Sequence, residues 1–276
     1  QGMVCHETYK DENNNWLSPE ELITNDNKIY YLKKDPSKKV RVGPSESMSK
    51  SKKNTIDPED IIKNYGADSV RLFILSDSPP EKDVQWSEEG IVASYKFVQK
   101  LWTLNSKILD KIKDNNQDDE GKDLTKFTNQ LINKITQNLE KFHYNVIVAN
   151  FYEMYNFLIK EIDKPIKKEI LIENYKKILI LMNPFIPHFS NECLNTIDED
   201  QIEWPKISKE DLIEEYINFV VQINGKKRAI LKVKRDVDEK EILEILKVNL
   251  EIEKFLKDQI IKKSIFVPNR LINIIL

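Results

Sequence analysis

Residues 47–54 read Ser-Met-Ser-Lys-Ser-Lys-Lys-Asn, and Ile-Asp-Pro follows at residues 56–58. Asp57 is a favourable N-cap and Pro58 fits the first position of a helix, so the stretch predicts a flexible Ser/Lys loop directly before a helix. Hydroxyl groups, backbone N–H groups and a lysine ammonium can converge on a polyphosphate in such a loop. The alternative is a solvated Ser/Lys linker without a ligand.

The chain after this loop follows a helical period. Gly66 should close the first helix, Asp68 can cap the second, and Ser78–Pro80 should end it. Four long helical stretches are then predicted, at residues 87–113, 122–141, 144–162 and 168–182. Pro184 and Pro187 break the pattern. Apolar stripes at this spacing indicate the core of an antiparallel helix bundle and not a cofactor site.

The residues before the loop are polar and strand-like. Strands are expected at Met3–Cys5 and Ile29–Leu32, where apolar and aromatic residues cluster. Turns are expected at Asn13–Asn15 and Asp35–Ser37. This N-terminal part therefore predicts a small β-containing region.

A change of composition follows Trp204-Pro205. Asn224-Gly225 lies between two apolar runs and is a strong hairpin signal. Two short helices and two closing strands are expected after the hairpin, at residues 238–247, 250–257, 260–267 and 271–275. The predicted fold class is thus mainly α with α+β ends, and the last sixty residues should form a separate small domain.

Charge is distributed unevenly along the chain. The 276 residues are 40% hydrophobic and 32% charged, with a net charge of only −3. Residues 216–276 carry 13 Lys and Arg against 8 Asp and Glu. A basic end on an acidic body fits an anionic partner, although a solvated lysine-rich surface would look the same. Lys226, Lys227 and Arg228 follow the hairpin turn and are candidate phosphate contacts or, alternatively, a solvated tip.

The two cysteines, Cys5 and Cys193, lie far apart and outside any Cys-x-x-Cys motif. This argues against a disulfide framework and a zinc site and fits a reducing, cytoplasmic setting. Charged and polar residues interrupt every apolar run, so no membrane span is expected. The chain opens with Gln1 and has no initiator Met, which suggests a segment of a longer protein.

Two other groups of residues could carry chemistry. The adjacent Cys5, His6 and Glu7 could be a metal or nucleophile cluster, but neighbours on a strand point to opposite faces and cannot all converge. His143 and His188 stand at predicted helix ends beside aromatic residues. Packing or capping is the simpler role for both histidines.

Taken together, these stretches resemble a known family. The run at 47–54 resembles the KMSKS loop of class I aminoacyl-tRNA synthetases. Residues 56–73 are similar to class I synthetases in general. The wider sequence is similar to leucyl-tRNA synthetases of the bacterial type, at residues 1–4, 76–90, 183–188, 220–226 and 266–268. The resemblance covers essentially the whole chain, from just before the loop to the C-terminus.

The resemblance implies a division into parts. It implies the end of a Rossmann-type catalytic domain at residues 1–65, a helical anticodon-binding-type domain at 66–205, a linker at 206–215, and an α+β tRNA-binding domain at 216–276. The residues that bind leucine and the adenosine end of ATP would lie upstream. The isolated chain should then be inactive.

The resemblance also implies a reaction, the ATP-dependent activation of leucine and its transfer to tRNA(Leu). The ATP loop would comprise Ser47, Met48, Ser49, Lys50 and Ser51, with ATP accompanied by Mg²⁺ and no metal site in this segment. Lys50 is the predicted catalytic residue. Family members usually have Lys at the position of Ser47, and Lys52 or Lys53 could compensate. The alternative is a stand-alone tRNA-binding module or split subunit without catalysis.

Overall fold

The structure is a computed structural model that describes residues 2–25, 29–113, 118–197, 203–207, 212, 216–256, 259 and 261–276. The chain divides into two compact units, Gln1–Ser208 and Lys209–Leu276. The predicted linker at 206–215 lies mostly outside the described residues. The predicted domain boundaries stay predictions.

The described part of the first unit contains seven short strands, six of them before the helices and the seventh between the second and third helix. They are β1 (Val4–Lys10), β2 (Trp16–Leu17), β3 (Leu22–Thr24), β4 (Tyr30–Leu32), β5 (Asp35–Lys39), β6 (Arg41–Ser47) and β7 (Val84–Gln85). Strand β1 pairs with β2 and β6 in antiparallel fashion and with β7 in parallel fashion. Strands β3, β4 and β5 form a separate three-stranded sheet. The first sheet positions the Ser/Lys loop, because the loop starts where β6 ends.

The turn predicted at Asp35–Ser37 is wrong, because these residues open strand β5. The chain turns at Lys33-Lys34 instead, and Leu32 pairs with Asp35 across that turn. Pro36 is tolerated because β5 is at the edge of its sheet, where one side of the backbone needs no partner.

The described part of this unit also contains seven α-helices. They are α1 (Pro58–Tyr65), α2 (Ala67–Asp77), α3 (Glu88–Lys113), α4 (Lys122–Glu140), α5 (Tyr144–Glu161), α6 (Lys168–Met182) and α7 (Pro187–Thr196). The four long helices are confirmed with bounds within one residue of the prediction. Their buried side chains form one apolar cluster that includes Ile108, Ile135 and Phe151.

Helix α7 corrects the prediction at Pro187, which begins a helix and does not only break one. Proline suits this position because the first N–H of a helix has no partner to lose. The predicted capping role of Asp68 is also corrected. Helix α2 begins at Ala67 with Gly66 as its N-cap, so Asp68 already lies inside the helix.

Asp68 caps α7 instead. Its buried carboxylate accepts hydrogen bonds from the backbone N–H groups of His188 at 3.3 Å and Phe189 at 2.7 Å. One turn further along α2, Arg71 donates to the carbonyl oxygens of Phe185 at 3.0 Å and Pro184 at 2.7 Å. Helix α2 thus provides the hydrogen-bond partners for both the N–H groups and the carbonyl oxygens of the turn between α6 and α7. We call this pair of contacts, made by Asp68 and Arg71, the double cap.

Helices α2 and α3 approach closely at Gly90. A Cβ atom at this position would lie 2.6 Å from Cε2 of Phe73 on α2, so a larger residue would push the helices apart. Phe73 is buried with Ile91 and Val84 in a small cluster against Trp86. This cluster joins β7 to the start of the helical region.

The second unit is a four-stranded sheet with helices. It contains β8 (Tyr216–Ile223), β9 (Lys226–Lys234), α8 (Glu239–Lys247), α9 (Leu250–Leu256), β10 (Lys263–Val267) and β11 (Leu271–Ile275). The strand order is β10-β11-β8-β9, with β11 parallel to β8. The hairpin prediction is confirmed, since Asn224 and Gly225 take positive φ values of 50° and 76° between antiparallel strands.

Candidate functional site

The Ser/Lys loop leaves the sheet later than predicted. Ser47 is the last residue of β6 and pairs with Cys5 of β1, and the Met48 N–H donates to the Val4 carbonyl oxygen at 3.2 Å. Ser47 is therefore part of the strand, and only the residues after Met48 form the loop. Met48 is half-buried, consistent with an apolar anchor.

The loop contains a turn of 3-10 helix at Lys50–Lys52. Ser49 caps this turn, because its Oγ accepts a hydrogen bond from the Lys52 N–H at 3.3 Å and lies 3.1 Å from the Ser51 Oγ. Lys53 ends the turn in the left-handed region, with φ 54°. Both serine hydroxyls thus hold the loop itself together.

The three lysines of the loop have different surroundings. The Lys52 ammonium contacts the Glu46 carboxylate, and the Lys53 ammonium lies 3.9 Å from a carboxylate oxygen of Glu21. Lys50 is exposed, and no carboxylate of the described residues lies within 4 Å of its ammonium. Lys50 is accordingly the loop lysine whose charge is most available to an anionic ligand.

A groove of about 510 Å³ runs beside the loop and the start of α1. Lys50 and Lys53 line it, but so do four acidic residues, Glu20, Asp57, Asp60 and Glu88. This excess of carboxylates disfavours a polyphosphate inside the groove. An anion-binding role therefore depends on the loop itself.

The Cys5, His6 and Glu7 side chains contact three different partners. Cys5 Sγ lies 3.9 Å from Ser47 Oγ, His6 Nδ1 lies 3.3 Å from the Asn54 carbonyl oxygen, and the Glu7 carboxylate accepts from the Tyr9 hydroxyl at 3.0 Å. Burial lowers the pKa of His6 below its usual 6.5. No group of three or more His, Cys, Asp or Glu suited to a metal ion occurs among the described residues.

The other two histidines make polar contacts near helix ends. His188 Nδ1 lies 2.9 Å from the Asp68 carboxylate while its ring is 75% exposed. His143 precedes α5, and its Nδ1 lies 3.3 Å from the Asn138 side-chain oxygen. Both contacts fit a local structural role.

The basic residues after the hairpin do not all lie on one face of the sheet. Lys226 and Arg228 line a groove of about 490 Å³ together with Lys254 and Phe255 of α9. The Arg228 guanidinium carbon lies 4.5 Å from the centre of the Phe255 ring, and the Lys254 ammonium lies 5.3 Å from it. These three cations and one aromatic ring form what we call the cationic groove.

Lys227 belongs to the opposite face of the sheet. Val221 pairs with Ala229 and Gln222 pairs with Lys227, so Arg228 is the extra residue of a β-bulge. Val221 and Ile223 are buried, and Gln222 between them points away from that side with its partner Lys227. The bulge thus moves Lys227 away from the side of Val221 and Ile223, because without the extra residue Lys227 would pair with Ile223. Lys254 was missed by sequence reasoning because it follows the hairpin by nearly thirty residues.

Two family models match the chain. Residues 40–87, which include the loop, match "tRNA synthetases class I (I, L, M and V)", and residues 121–244 match "Anticodon-binding domain of tRNA ligase". Curated relatives cover the whole chain. The leucine–tRNA ligase of Orientia tsutsugamushi (strain Boryong) is 40% identical over 285 residues, and that of Wolbachia pipientis subsp. Culex pipiens (strain wPip) is 38% identical over 283 residues.

The chain is homologous over its whole length to the C-terminal third of leucine–tRNA ligases. It spans 33% of each of these two relatives. A solved structure gives the same result. The LeuRS agnB2 of Agrobacterium radiobacter K84, crystallised with tRNA and LeuAMS, superposes with a TM-score of 0.70 at 26% identity, over 83% of this chain and 31% of that one. Within the described residues, no helix combines the length and apolar character needed to cross a bilayer.

Proposed function

We propose that this chain supplies the ATP loop and the tRNA-binding parts of a leucine–tRNA ligase. The complete enzyme would activate leucine with ATP and transfer it to tRNA(Leu) in the cytoplasm. Residues 1–65 would be the end of the Rossmann-type catalytic domain, residues 66–205 the helical domain, and residues 216–276 the C-terminal tRNA-binding domain after a linker. Homology to leucine–tRNA ligases along the whole chain supports this proposal.

The chemistry requires stabilisation of negative charge. The leucine carboxylate attacks the α-phosphate of ATP, the bond from that phosphorus to the bridging oxygen breaks, and pyrophosphate leaves. Charge grows on the phosphoryl oxygens in the transition state, where a positioned ammonium stabilises it. Mg²⁺ would enter with ATP as part of the substrate. In this proposal, residues 47–51 form the ATP-binding segment, with Ser47 at the end of β6, and Lys50 in the loop supplies the charge.

One observation carries the assignment of Lys50. Lys52 and Lys53 are each close to a carboxylate of this chain, whereas Lys50 is exposed with no such neighbour among the described residues. An ammonium already near a carboxylate must give up that contact to bind a phosphate. Lys50 can bind one at no such cost. The compensation that Lys52 or Lys53 could provide for Ser47 is therefore limited.

Pyrophosphate exchange in the complete enzyme tests this assignment. Lys50→Ala should slow leucine-dependent exchange roughly a hundredfold or more, as expected for the loss of one charge-stabilising donor. Lys53→Ala, in the same loop, is the matched control and should have a much smaller effect. Ser47→Lys should be neutral or mildly activating. Equal exchange rates for wild type and Lys50→Ala would remove Lys50 from the site. Pyrophosphate exchange catalysed by the isolated chain would refute the proposal that the leucine-binding residues lie upstream of it.

The cationic groove is the proposed tRNA contact in the second unit. Three cations around one ring could bind backbone phosphates, and such contacts weaken with salt. Lys226→Ala with Arg228→Ala should weaken tRNA binding and lower the log–log salt slope by about two units or less. Lys227→Ala is the control on the opposite face. If Lys227→Ala weakened tRNA binding as much as the double variant, the groove would not be the contact surface.

A further inference from the structure

Asn54 connects the loop to both strands of the sheet from which it emerges. Its side-chain nitrogen donates to the carbonyl oxygens of His6 on β1 and Glu46 on β6, each at 3.1 Å. Its side-chain oxygen accepts from the Ser49 N–H at 2.9 Å. The Asn54 backbone carbonyl also lies 3.3 Å from His6 Nδ1. The side chain is fully buried, at 0% exposure.

These contacts define the orientation of the Asn54 side-chain amide and the parts of the chain that it connects. Two carbonyl oxygens require a donor, and one backbone N–H requires an acceptor, so the amide nitrogen and oxygen cannot be exchanged. The bonds join the start of the loop at Ser49, its end at Asn54, and the two strands behind it. Lys50 follows Ser49 directly, so the place where Ser49 is held determines where the Lys50 ammonium can reach.

We propose that Asn54 is a positioning residue that locks the Ser/Lys loop onto strands β1 and β6 and thereby fixes the place of Lys50. The catalytic part of this inference rests on the proposed function. The structural part does not, because it concerns only hydrogen bonds within this chain. The two parts are therefore tested separately.

The structural part is tested by amide hydrogen exchange and trypsin digestion of the chain. In wild type, the Ser49 amide should exchange at least about tenfold more slowly than an unstructured reference. Asn54→Asp keeps the shape but places a carboxylate against two carbonyl oxygens. It should raise exchange at Ser49 about tenfold or more and speed cleavage after Lys50.

Asn64→Ala, at an exposed position of α1, is the control and should leave the loop unchanged. Exchange in the long helices, measured in the same samples, separates loosening of the loop from loss of the fold. If the Ser49 amide of the wild-type chain exchanged as fast as the unstructured reference, the inference would be overturned by that measurement alone. Wild-type exchange at Ser49 in Asn54→Asp would also overturn it.

The catalytic part is tested by steady-state pyrophosphate exchange in the complete enzyme. Asn54→Asp should lower kcat/KM for ATP about tenfold while the KM for leucine stays unchanged, because the loop faces ATP and the leucine site lies elsewhere. A purely structural residue would leave the ATP kinetics of the folded enzyme intact, and that result would refute a positioning role. If instead Lys50→Ala were harmless, the proposed function would fail while the exchange result at Ser49 stood.

Discussion

Lys53 adopts a backbone conformation that suits few side chains, with φ 54° and ψ 22°. A residue with a Cβ pays about 1 kcal/mol or more to occupy the left-handed region, and glycine does not. The conformation is needed here because it ends the 3-10 turn and returns the chain to Asn54. The strain is therefore located at the exit of the loop.

Two replacements of Lys53 separate the effect of the backbone strain on stability from the effect of the Lys53–Glu21 ion pair. Lys53→Gly and Lys53→Ala both lose the contact with Glu21, but only glycine relieves the backbone. Chemical denaturation should show a free energy of unfolding about 1 kcal/mol higher for Lys53→Gly than for Lys53→Ala. Equal values would mean that the left-handed conformation costs nothing at this position.

His6 gives the first unit a pH dependence. Burial lowers its pKa in the folded state below the usual 6.5, so the unfolded state binds a proton more readily between these two values. The free energy of unfolding should therefore fall as the pH drops below about 6.5 and level off below the folded pKa. His6→Gln should flatten this part of the pH profile. A flat wild-type profile would contradict the prediction.

At the residue scale, the sequence predicted what depends on local order and missed what depends on distant partners. The resemblance of residues 47–54 to the KMSKS loop implied a role for Lys50, and that role stays a prediction. Asn54 looked like the end of a polar run, because its partner His6 lies 48 positions away. Nothing in the local sequence around Lys227 showed that a bulge would turn it away from the side of Val221 and Ile223.

Among the elements, the turn between α6 and α7 depends on the double cap from α2. Asp68→Ala would leave two backbone N–H groups at the start of α7 without their acceptor, at a cost of about 1–3 kcal/mol. Asp68→Asn keeps an acceptor and should cost less. Asp60→Ala, at an exposed site on α1, is the control. Thermal and chemical unfolding of the chain measure the differences, and equal losses for Asp68→Ala and Asp60→Ala would exclude the cap.

The long helices were predictable because each buries a continuous apolar stripe that repeats at helical spacing. Short elements were harder. Helix α7 was not predicted, because Pro187 interrupts the helical pattern of α6 and was interpreted only as a break, although it is also the first residue of α7. Strand β5 was hidden by Asp35-Pro36-Ser37, whose turn-like composition is compatible with an edge strand.

Considered as a whole molecule, the chain has separate apolar cores in its two units. The second unit buries Phe219, Val221, Ile242 and Ile272 in a cluster of its own. Residues 209–276 produced alone should therefore fold, although a domain of this size is only marginally stable. A cooperative thermal transition by circular dichroism and dispersed amide signals by NMR would confirm it. A spectrum of an unfolded chain would show that this core needs the rest of the protein.

The double cap also limits how its two charged residues can change together. An ordinary pair of opposite charges can often be reversed, since each partner sees only the other. Asp68 and Arg71 instead bind backbone groups. Asp68 accepts from N–H groups at the start of α7, and Arg71 donates to carbonyl oxygens in the turn before it. Backbone polarity cannot be inverted by substitution. Reversing both residues at once would place a cation against N–H groups and an anion against carbonyls, so the double exchange should be worse than either single change.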